Sequence, residues 1–229
     1  MSFLMLTAVY LWLMPTTASA AFTTTIEAPG VQTSQVLGVT TENFNTFLAS
    51  NSYTTLVTAV GTLTSPGMAI VPANTFGGAG NVGNYFAIGS QSGQLTATLA
   101  LNAPANYFGL WVSAIDMNNS MQFFSGVTLV GTFDANTSPF NSLPNTYSGV
   151  NNNNIDNFVY VNFTGTSGTT FDKIVFNNAI LGSGFESDNW SVLSAPANAV
   201  PEPTTMTLGL IGTLMGAGIA RFRRRTITA

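Results

Sequence analysis

Eight carboxylates carry whatever acid–base or metal chemistry the body of this chain has: Glu27, Glu42, Asp116, Asp134, Asp156, Asp172, Glu186 and Asp188. No Cys and no His occurs in the 229 residues. Thiol nucleophiles, Ser-His-Asp triads, haem, Fe–S clusters and an ordinary zinc site are thereby excluded. Carboxylates alone leave glycoside hydrolysis and hard-cation binding. A glycosidase needs two carboxyl groups across a cleft. No acidic pair here has a distinctive local setting, so hydrolysis is a remote reading and the chain reads as a non-enzyme. Glu186 and Asp188 lie two apart, on one face of a strand, where they can hold calcium together with backbone carbonyls or Asn oxygens. No repeated calcium-loop spacing occurs, which favours two solvated carboxylates and no cofactor.

Binding has better support. Trp111, Trp190, Tyr85, Tyr107, Tyr147 and Tyr160 offer flat faces on which sugars stack, and the abundant Asn and Thr offer neutral hydrogen bonds. Aromatic residues in strands mainly build cores, and Trp111, inside an apolar run, reads as core. Trp190, just after the polar segment Glu186 to Asn189, and Tyr147, in a long loop, are the candidates for a ligand-binding rim.

The segment that positions these residues, 21–199, is rich in Thr, Asn, Ser, Gly, Val and Phe and poor in Lys, Glu and Arg, a composition of strands and turns. Strands are expected at 22–28, 53–60, 67–71, 85–88, 94–101, 107–115, 121–124, 127–133, 158–163, 171–176 and 189–193. In 94–101, Leu95, Ala97, Leu99 and Leu101 share one face, while 107–115 is apolar on both, as a central strand requires. Ser125-Gly126 is a hairpin-like turn. These short strands predict an all-β fold, a β-sandwich or barrel, large enough to bury a core without disulfides. Asp134 to Asn157 reads as one long loop with Pro139, Pro144, Gly149 and four consecutive Asn, best taken as a mobile surface insertion.

Charge divides the chain. Residues 21–199 set eight acids against Lys173, a net −7, whereas the last thirty set Glu202 against four arginines. A body this acidic is not a nucleic-acid binder, because phosphate contacts need a basic face.

Both ends read as targeting segments. The apolar run Phe3 to Met14, Pro15, and Ala18-Ser19-Ala20 predict a signal peptide, 1–20, cleaved after Ala20 and handled by Sec-type export machinery. No Lys or Arg precedes the run, so either the start lies upstream or the amino terminus alone supplies the charge. At the other end Pro201-Glu202-Pro203 precedes the uncharged stretch Thr204 to Ala220, then Arg221, Arg223, Arg224 and Arg225. As a helix the stretch spans roughly 25 Å, short for a bilayer, and the arginines would keep the C-terminus cytoplasmic.

The region 200–229 closely resembles the PEP-CTERM sorting signal: the Pro-Glu-Pro triplet, a short Gly/Leu-rich helix and a terminal Arg cluster, in that order. The resemblance implies cleavage near the triplet by an exosortase, transient anchoring in the inner membrane, and delivery to the cell surface or a polysaccharide-rich extracellular matrix. The body, through Tyr107-Phe108-Gly109-Leu110-Trp111, Phe171 to Phe176 and Phe185 to Asn189, resembles exosortase-dependent surface proteins with a jelly-roll, carbohydrate-binding-module-like domain. That resemblance implies a non-catalytic polysaccharide-binding or matrix-associated module. The alternative is a structural surface protein that self-associates. Ice binding is remote, because no regular Thr-x-Thr ladder repeats.

Overall fold

The computed structural model describes residues 21–137, 139–153 and 155–196. The signal segment 1–20 and the sorting tail lie outside them. Eleven strands run along the described chain. The first five are β1 (Ala21–Ile26), β2 (Thr40–Glu42), β3 (Ser50–Val57), β4 (Gly61–Pro72) and β5 (Asn84–Gly89). Then come β6 (Thr96–Ile115), β7 (Asn119–Ser125), β8 (Thr128–Asp134), β9 (Asn157–Thr166), β10 (Phe171–Asn178) and β11 (Gly184–Ser194). The only helical pieces among the described residues are single 3-10 turns. No described helix is long and apolar enough to cross a membrane.

All strands pair antiparallel in one connected sheet. Two long strands fold this sheet upon itself. β4 pairs with β6 through Gly61–Thr64 and with β5 through Ala69–Pro72. β6 pairs with β4 and β10 through its first half, then with β9 and β11 through Tyr107–Val112. Pro104, which lacks an N–H for the ladder, sits at the changeover. The two stretches expected as separate strands, 94–101 and 107–115, are therefore one strand bridging two parts of the sheet.

Side chains from the two parts meet in one large apolar core. Phe176 of β10 stacks on Trp190 of β11 at 4.6 Å between ring centroids, although these strands do not pair. Phe86, Phe108, Phe123, Phe163 and Phe171 are also fully buried, so the period-2 Phe pattern supplies the filling. Leu99 and Ala97 enter this core and Leu101 packs against it, as their spacing predicts.

The other face of β11, β6 and β9 is covered as well. Trp111, Phe158 and Tyr160 form a second cluster there, with Trp111 and Phe158 stacked at 5.5 Å. Tyr85, Ala69 and Ala87 form a third. Trp111 is thus interior, as expected, but it packs under loops rather than between the sheet's two parts.

The region Asp134 to Asn157 is not a solvated insertion. Phe140, Leu143 and Tyr147 drop into the main core. Asn151 Nδ2 donates to the carbonyls of Gly77 and Gly78, and Asn153 Nδ2 to that of Thr75. These bonds tie the region to the β4–β5 loop, adding a second donor to the Gly77 and Gly78 carbonyls, which already accept from the Asn74 and Asn81 N–H groups.

Candidate functional site

β11 carries the acidic residues singled out by the sequence. Phe185 faces the core, Glu186 and Asp188 face the loop-covered side, and a regular strand would send Trp190 to that side too. It does not. The register slips between Asp188 and Ser191, so that three steps on β11 match two on β6. Asn189 absorbs the extra residue with φ 50°, a conformation Asn tolerates better than most. The bulge turns Trp190 inward, where it is 0% exposed, edge-on to Phe44 at 4.9 Å, with Nε1 donating to Ser187 Oγ at 2.9 Å. Tyr147 is buried too, its hydroxyl donating to the Glu27 carbonyl at 2.9 Å. Both expected rim aromatics are interior side chains.

Glu186 and Asp188 share a face, yet their carboxylates serve different surroundings. Asp188 accepts backbone N–H bonds from Ala79 (2.8 Å) and Asn189 (2.7 Å), tying the β4–β5 loop to the sheet. Burial, opposed by those two bonds, pushes its pKa up to about 6. Glu186, 4% exposed, accepts from the Gln91 side chain instead. Gly184 leaves room for this pair, since a Cβ there would run into the carboxylate oxygen. Burial lifts Glu186 to about 8, and the charges of Asp116 and Asp156 add to the rise. Its electrostatic neighbours are therefore Asp116 and Asp156.

These three acids line one cavity of about 200 Å³, with Phe76, Ser90, Gln91 and Gly182–Gly184. A second cavity of about 260 Å³ shares Phe76 and Asp156 and adds Thr75, Asn152 and Asn153. Phe76, 49% exposed, forms a wall common to both. Among the described residues no three acidic side chains converge closely enough to enclose a metal ion. Sequence reasoning passed over Phe76. Its signal was an aromatic ring within Ala73-Asn74-Thr75-Phe76-Gly77-Gly78, a turn-forming stretch with no strand in which to bury it.

Comparison with known proteins bears on the tail. Residues 199–225 match the model of the PEP-CTERM protein-sorting motif. The motif implies processing by an exosortase and export to the cell surface. No curated protein and no solved structure matches the chain.

Proposed function

We propose that exosortase cleavage near Pro201-Glu202-Pro203 delivers the chain to the surface, where its body acts as a non-catalytic, cofactor-free module binding matrix polysaccharide. The folded-over sheet is, in this reading, a sandwich of the jelly-roll kind. The observation that supports binding is the exposed Phe76 ring set between two cavities with amide and carboxylate linings. Sugar rings present C–H faces to aromatic side chains and hydroxyls to such groups. Phe76→Ala is expected to weaken saccharide binding about tenfold, roughly 1.4 kcal/mol, and to leave the melting temperature unchanged. Loss of folding, or unaltered binding on a glycan array, would count against this site.

A structural, self-associating role has one observation in its favour: Val127 and Leu129, on the hairpin of β8, are 94% and 48% exposed. Concentration-dependent assembly without saccharide binding would support it.

In the sorting step the apolar stretch holds the chain in the inner membrane and the arginines resist crossing, because charge at the bilayer centre is costly. Proline lacks an N–H and disfavours helix in the residue before it, so a Pro-Glu-Pro triplet suits an enzyme that reads extended backbone. In a host with a matching exosortase, Glu202→Ala is expected to stay full-length in the membrane while the native chain loses its tail. Equal retention of both would mean a permanent anchor.

A further inference from the structure

We propose that the cavity beside Phe76 and Glu186 takes an ammonium group carried on a sugar ring, so that the preferred ligand is a polysaccharide with free amino groups. The inference rests on the reading of Phe76 as a saccharide-binding residue and adds the charge of the saccharide.

Three carboxylates line the cavity, and the protein occupies one oxygen of each. Asp116 Oδ1 accepts from the Asn118 N–H at 2.7 Å, Asp156 Oδ2 from Asn153 Nδ2 at 2.7 Å, and Glu186 Oε1 from Gln91. For Asp116 and Asp156 the described residues supply no second hydrogen-bond donor. A further polar atom is also without a partner: Ser113 Oγ, on a fully buried residue. Ser113 stands in register with Glu186 across β6 and β11, hence on the same side of the sheet. Buried polar atoms nearly always find partners, and a Ser hydroxyl can accept from one as well as donate to it.

Nor, among the described residues, does a protein cation answer these charges. Lys173 is the only base in the described residues, and its Nζ lies over the Phe124 ring at 4.3 Å. An ammonium supplies both missing items, three N–H donors and a positive charge. Opposite charges attract most strongly where water is excluded, and Phe76 can add a cation–π contact. A bare metal ion suits the cavity less, since the acids do not close to its coordination distances. An anionic polymer would meet repulsion from Asp116 and Asp156.

The groups facing Glu186 are Gln91, Asp116, Asp156, Ser113 and, coulombically coupled to it, Tyr85. Burial, with a smaller addition from the charges of Asp116 and Asp156, holds the proton on Glu186. An arriving ammonium reverses the balance, so binding near neutral pH is accompanied by proton release.

Calorimetry on the purified protein tests this, using glucosamine oligosaccharide and N-acetylglucosamine oligosaccharide of equal length. The expected result is a preference for the free amine of about tenfold or more, with proton release seen as a heat that varies with the buffer. Asp116→Asn/Asp156→Asn should remove that preference without lowering the melting temperature. Equal affinity for both oligosaccharides, still lost in Phe76→Ala, would overturn the ammonium assignment and leave the saccharide reading standing. Binding of neither would defeat both readings. Undiminished glucosamine binding by the double variant would mean diffuse attraction to an acidic body. Tight binding of calcium chloride alone, abolished by the same variant, would reassign the cavity to a metal.

Discussion

Thermal unfolding of the protein at pH about 8 is expected at a distinctly lower temperature than at pH about 5, and Glu186→Gln is expected to erase most of the difference. Glu186 has its pKa raised from 4.5 to about 8 in the fold. A carboxyl with a raised folded pKa holds its proton more tightly folded than unfolded, so its contribution is complete below 4.5 and lost as pH rises through 8. Asp188, raised from 3.8 to about 6, acts in the same direction over a lower window. Each pH unit inside a window is worth about 1.4 kcal/mol. Near the top of the Glu186 window the accumulated loss is a few kcal/mol, or a melting shift of roughly 10 °C for a body this size. Glutamine keeps the shape and a carbonyl oxygen for Gln91 but has nothing to ionise. The variant should therefore be the more stable protein at alkaline pH. A native melting temperature that does not change between the two pH values would contradict the buried, repelled state of Glu186.

Trp190→Ala is expected to be the most damaging single substitution in the body. The ring stacks on Phe176 at 4.6 Å and meets Phe44 and Phe86 edge-on at 4.9 and 5.0 Å. Its removal opens a cavity walled by rigid aromatics, which collapses poorly, and leaves Ser187 Oγ without the indole donor. Truncations of this kind cost about 3–5 kcal/mol, a large share of the roughly 5–15 kcal/mol that holds a domain folded. Urea denaturation followed by near-UV circular dichroism should show the midpoint falling with an unchanged slope. A variant that kept its midpoint but lost saccharide binding would return Trp190 to the rim where the sequence alone put it.

The misplacement of Trp190 has a specific physical origin. Period-2 reading from Glu186 through Asp188 sends residue 190 to the same face, and one extra residue at Asn189 inverts that parity. No local signal separates a bulged Asn from an ordinary one. Tyr147 failed for a related reason: a polar, Pro-containing stretch reads as a surface loop, yet Phe140, Leu143 and Tyr147 within it supply the core. The stretches 94–101 and 107–115, expected as two strands, are one strand, β6, with Pro104 at its change of partners.

What the amino-acid order determined alone is what acts over a few residues. Alternation marked Ala97, Leu99 and Leu101 as core-facing, Thr- and Phe-rich runs marked strands, and the absence of Cys and His closed off whole classes of chemistry. The tail was legible for the same reason, because Pro201-Glu202-Pro203, the apolar stretch and the arginines are read consecutively. Tertiary structure decided which carboxylates meet. Asp116, Asp156 and Glu186 lie forty and thirty residues apart, just past the end of β6, in the loop before β9 and on β11. Their convergence follows from the register of those strands and from loops pinned by Asn151 and Asn153. Register is settled by burying both faces of the sheet at once, a condition imposed by the whole fold, and no short segment encodes it.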